Sequence, residues 1–125
     1  MILRDPVHGL VEFETDEEDI VAALLEAGEV QRLRRIRQLG LASLAYPGAD
    51  HTRFSHAIGA AFVMTRFIRR MRQVHDALPF WQRVTTERAR DALAAALLHD
   101  VGHGPFSHLF EEALACEEPV LAKAR

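Results

Sequence analysis

A helical periodicity constrains this chain most. From about Arg53 to Leu78, residues suited to burial recur three and four places apart: Phe54, Ile58, Ala61, Phe62, Thr65, Ile68 and Met71. That spacing puts them on one face of a long helix. Pro79 ends it, because a proline ring cannot continue a helix interior. The same period recurs on both sides. Ile20, Val21, Leu24 and Leu25 make a stripe that starts at a Thr15–Glu18 capping-box pattern and stops at Gly28. Val30, Leu33 and Ile36 point inward in a second helix, with Arg32, Arg34, Arg35 and Arg37 outward. Thr85 or Thr86 caps a later helix in which Ala89, Ala92, Leu93, Ala96 and Leu97 face the core. Pro105 suits the first turn of a last helix through Leu109 and Leu114. Residues 5–14 read as a turn and a short strand, and Gly40 to Asp50 as a loop. Strands do not alternate with helices, so a doubly wound sheet is excluded. The expected fold is an all-α helical bundle with a short strand or turn near the N-terminus.

Composition narrows the class. The chain has 125 residues, 49% of them hydrophobic, which is enough for one domain or part of one. The formal net charge of -3 argues against a surface built for non-specific nucleic-acid binding. Nucleic acid is therefore not the favoured partner, and the arginines at 32–37 and 66–72 read as outward faces. A single cysteine, Cys116, excludes an internal disulfide and a multi-cysteine zinc knuckle. No apolar run reaches the length of a membrane span, and the start lacks the layout of a secretory signal. A cytoplasmic protein is expected, with no membrane partner.

The seven histidines are unevenly placed. His51 and His56 form one group, and His99, His103 and His108 another. The second lies in His99-Asp-Val-Gly-His-Gly-Pro-Phe-Ser-His108, entered directly from a run of Ala and Leu. A buried His–Asp pair costs free energy unless it is partnered or holds a metal. Imidazole with carboxylate suits a divalent transition ion: iron, manganese, nickel, cobalt or zinc. The helix start after Pro105 offers free N–H groups to an anion such as phosphate. For an isolated His–Asp pair, a helix end with a capping Asp is the better reading. His75-Asp76, beside Leu78-Pro79 and without a glycine turn, is read in that way.

The segment 99–108 closely resembles the HD-domain deoxynucleoside triphosphate triphosphohydrolases. Three further blocks resemble that family in the same order: Asp5-Pro-Val-His-Gly9, Gln31-Arg-Leu-Arg-Arg-Ile-Arg-Gln-Leu-Gly40, and Tyr46-Pro-Gly-Ala-Asp-His-Thr-Arg-Phe-Ser-His56. The resemblance implies a partial HD-domain bundle with His56, His99 and Asp100 as metal ligands. It implies Arg53 on the triphosphate, Gln38 and Leu39 against the sugar, and His103, His108 and Glu111 in catalysis. In some relatives Gln31 and Arg34 match positions that recognise an activating nucleotide, with Glu26 replacing an Asp of that set. The family's fourth ligand, an Asp, and a further catalytic histidine would follow Arg125. The chain is thus expected to be the N-terminal portion, residues 1–125, of a catalytic domain. The implied reaction is attack of a metal-activated water on the α-phosphorus of a deoxynucleoside triphosphate. Its products are deoxynucleoside and triphosphate; magnesium can accompany the nucleotide, and the protein is expected to form a homo-oligomer. Other HD enzymes act on other phosphoesters, and a nucleotide-sensing module without catalysis is the reading from a different class.

Overall fold

The computed structural model describes residues 1–5, 7–106 and 112–113. It opens with a hairpin. Strand β1 (Ile2–Asp5) pairs antiparallel with β2 (Gly9–Glu12), with Leu3 opposite Val11 and Asp5 opposite Gly9. The strand expected within 5–14 therefore has a partner that begins at Ile2. Asp5 closes the turn through its own side chain, Oδ1 accepting from the backbone amides of Val7 at 2.9 Å and His8 at 2.8 Å. Gly9 has φ +75°, a left-handed conformation that side-chain-bearing residues adopt at a cost.

Among the described residues four helices follow: α1 (Asp19–Leu25), α2 (Gly28–Arg32), α3 (Arg53–Val74) and α4 (Thr86–Leu98). Short 3-10 segments lie at Leu33–Arg35, Gly40–Leu44 and Phe80–Gln82. Thr52 caps α3, its side chain accepting from Ser55 N, and Thr85 caps α4, accepting from Arg88 N. The Thr15–Glu18 pattern is half realised. Glu18 reaches back to the Thr15 amide at 3.1 Å, as a capping box requires, but also takes the Glu14 amide at 2.8 Å. Regular helix starts only at Asp19.

Two boundaries differ from expectation. Gly28 opens α2 instead of ending α1, because Ala27 is extended (φ -64°, ψ 137°) and breaks the chain one residue earlier. Helix α3 ends at Val74, short of Leu78. The residue before a proline is pushed out of the α region, and here the unwinding spreads back over the turn at 75–77.

The core lies where α3 crosses α4. Ala57, Ala61, Ala89 and Leu97 are fully buried there, with Leu93 beside them. Val21 and Leu25 of α1, Val30 of α2, Leu33, Ile36, and Val11 and Phe13 from the hairpin close it. The stripe read for α3 is buried at Phe54, Ile58, Ala61, Thr65 and Ile68, while Phe62 and Met71 are half-buried. The arginines near the end of α3 are not all free outward charges. Arg72 grips Glu17 with two bonds of 2.7 and 2.8 Å, and Arg69 bonds Glu18 at 3.0 Å. These pairs fasten α3 to the start of α1. His75 and Asp76 do form an open helix end, the Asp76 side chain being 87% exposed. Among the described residues, no helix is long and apolar enough to cross a membrane.

Candidate metal centre

Two helices bring three residues together. His56 lies in the first turn of α3, and His99 with Asp100 at the end of α4. Their ligand atoms all fall within 4.8 Å of one another. The two Nε2 atoms are 3.2 Å apart, and Asp100 Oδ1 is 3.6 Å from His99 Nε2. Both imidazoles are open to solvent, with side chains 40% and 43% exposed, while Asp100 is buried. The ring of His99 is oriented from behind: its Nδ1 is 2.8 Å from the Ala96 carbonyl. An N–H there leaves the Nε2 lone pair facing the cluster, the tautomer a metal needs.

The two oxygens of Asp100 are engaged unequally, and Oδ2 also lies 4.0 Å from His56 Nε2. Oδ2 takes a 2.7 Å ion pair from Arg53 Nη1 and a 3.0 Å hydrogen bond from Gln38 Nε2. Oδ1 faces the imidazoles of His99 and, at 3.7 Å, His103. Burial alone would raise the Asp100 pKa. The Gln38 hydrogen bond, Arg53, His99 and His56 outweigh it and hold the carboxyl below the usual aspartate range. For His56, burial lowers the pKa. The positive fields of His99, His51 and Arg53 add to that against the pull of Asp100, so the ring favours its neutral form. An ionised carboxylate beside two imidazoles whose Nε2 atoms converge is a donor set that fits a divalent transition ion.

The remaining expected residues are divided. His103 joins the cluster through Asp100. Arg53 and Gln38 sit behind the carboxylate, and Gln38 Oε1 is buried without a hydrogen-bond partner among the described residues. Leu39 is 52% exposed and does not line the groove beside His56 and His99. Gln31 and Arg34 are brought to each other: Arg34 Nε donates to Gln31 Oε1 at 2.7 Å, and its guanidinium lies 3.6 Å over the Phe54 ring. His108, Glu111, Cys116 and most of the expected last helix lie outside the described residues.

Two residues gain a place that their sequence context did not suggest. His8 lines a cavity of about 740 Å³ with His51, His56 and His99. It packs on Phe62 and close to Gly59, where an added Cβ would meet its Nε2 at 3.4 Å. The Asp5 turn motif was the available signal. Arg32, read as an outward charge, reaches the loop after Asp100. No local pattern marks a contact between residues so distant in sequence.

A buried carboxylate and two convergent imidazoles at the crossing of two helices agree with what similarity shows. Residues 53–123 match the HD domain, and the chain belongs to that family. It is 41% identical over 111 residues to the uncharacterized protein YwfO of Bacillus subtilis, covering 89% of this chain and 24% of that protein. It is 35% identical over 113 residues to the deoxynucleoside triphosphate triphosphohydrolase SAMHD1 of Bos taurus, and 33% identical over 113 residues to that of Homo sapiens. Those two alignments cover 88% of this chain but only 17% and 16% of the relatives. The chain thus spans about a quarter or less of the length of these relatives.

Proposed function

We propose that this chain is the N-terminal portion of a metal-dependent phosphohydrolase that converts a deoxynucleoside triphosphate to deoxynucleoside and triphosphate. The observation that carries the reading is the convergence of His56, His99 and Asp100 in front of the Arg53 guanidinium. The names of the SAMHD1 relatives support the substrate class. A metal held by these three residues would supply Lewis acidity and an activated water.

The chain's own residues supply the setting. Arg53 and Gln38 keep Asp100 ionised and aim one oxygen outward. The Ala96 carbonyl sets the His99 tautomer. His103, beside Asp100, is placed to donate a proton to a phosphate oxygen or leaving group. A fourth ligand, the roles of His108 and Glu111, a homo-oligomeric state and nucleotide recognition by Gln31 and Arg34 belong to the same proposal.

The test is a product assay on the complete polypeptide with each deoxynucleoside triphosphate and Mn²⁺, Co²⁺, Ni²⁺, Zn²⁺ or Fe²⁺. Triphosphate release that disappears in His99→Ala and Asp100→Ala supports the reading. Monophosphate or diphosphate as product redirects it to another phosphoester reaction. Nucleotide binding without any turnover sinks it in favour of a sensing module.

A further inference from the structure

Arg32 ends α2, and its side chain is exposed, yet its guanidinium crosses to the loop after α4. Nη2 donates to the Val101 carbonyl at 2.7 Å and to the His103 carbonyl at 3.4 Å. These contacts span 69 and 71 residues.

The Val101 carbonyl needs such a partner. A helix would supply the amide four residues on, but that residue is Pro105, which has no N–H. Within the turn that follows Leu98 the backbone bonds are short-range, Val101 N to Leu98 O and His103 N to Asp100 O. A cation is also favoured there, because the C-terminal end of α4 carries the negative end of the helix dipole. Arg32 therefore braces the turn after α4 from another element.

We propose that Arg32 is a positioning residue for His103. It holds the 101–103 turn in the form that leaves His103 Nε2 3.7 Å from Asp100 Oδ1. It acts through the loop and not on the reacting atoms. The inference rests on the phosphohydrolase reading for the task of His103, while the loop contact stands by itself.

Two variants of the complete polypeptide separate the possibilities. Arg32→Met keeps the aliphatic stem and removes every donor; Arg32→Lys keeps a cationic donor. Hydrogen exchange read by mass spectrometry should rise about five-fold in peptides covering 99–106 of the Met variant, the scale of one lost hydrogen bond of ordinary net strength at an exposed position. Exchange within 57–74 should stay as in the parent, and the Lys variant should return most of the protection. In turnover, kcat should fall about ten-fold in the Met variant with KM within about two-fold, because His103 acts on the transition state rather than on binding. Unchanged exchange in 99–106 overturns the proposal. So does an equal rise throughout α3 and α4, which marks general loosening. If the parent shows no turnover, the phosphohydrolase reading fails, and the exchange pattern still decides the role of Arg32.

Discussion

Arg53 and Asp100 form a buried ion pair of 2.7 Å. Removing one partner of a buried ion pair strands the other. Arg53→Met should therefore cost about 3–5 kcal/mol in urea unfolding. Asp100→Asn keeps shape but leaves the Arg53 charge without its carboxylate, so it should lower stability as well as raise the metal concentration needed for half-loading. Glu18 carries a second prediction. Burial pushes its pKa up, but the Glu14 and Thr15 amides and the Arg69 charge outweigh that and leave it lowered. The unfolded chain therefore takes up a proton at higher pH than the folded one. Stability from Glu18 is complete above about pH 4.3, the ordinary glutamate value, and is lost as pH falls through its lower folded value. Glu18→Gln should flatten the acid limb of a plot of unfolding midpoint against pH; an unchanged slope counts against this assignment. At this scale the sequence was partly transparent. His56, His99 and Asp100 could be read because glycine and histidine context surrounds them. The links from Gln38 to Asp100 and from Arg32 to Val101 could not, since each joins residues more than sixty apart and no local pattern marks the pairing.

Among the elements, α3 and α4 were the most readable. Both are long enough for several periods of the buried stripe, and both begin at a threonine whose hydroxyl takes an orphan amide. Thr85→Ala should destabilise by about 1 kcal/mol, measured as a lower unfolding midpoint, and Thr85→Ser should restore most of it. The effect should extend beyond α4's own start, because α4 ends in two site residues. The short elements were less readable. Strand β1 has only four residues, and Ile2-Leu3-Arg4-Asp5 shows no alternation that would separate it from coil. The break between α1 and α2 depends on the extended Ala27, a residue type with good helix propensity, so tertiary packing overrides local preference there.

For the whole molecule, the layout is asymmetric. Two arginine–carboxylate pairs fasten α1 to the far half of α3, while His56, His99 and Asp100 sit at the opposite end, where α3 begins and α4 stops. Between them an apolar strip of α3, with Val63 49% and Phe67 57% exposed, walls the cavity shared with His56 and His99. An open apolar strip of this kind binds hydrophobic dyes. Phe67→Ser should lower the fluorescence of a bound anilinonaphthalene dye while changing stability by no more than about 0.5 kcal/mol, as expected for a surface position. A larger loss would mean that Phe67 packs as core.

The divided carboxylate of Asp100 carries a consequence for ion choice. With Oδ2 engaged by Arg53 and Gln38, Asp100 is biased toward offering an ion one oxygen, Oδ1. Calcium favours crowded shells of six to eight oxygens, commonly filled by two-oxygen carboxylate clasps. One single-handed carboxylate between two nitrogen donors is a poor host for such an ion. Calcium in large excess should therefore leave the visible spectrum of bound Co²⁺ unchanged, whereas Zn²⁺ should bleach it. Releasing the second oxygen, by Gln38→Leu together with Arg53→Met, should erode that discrimination.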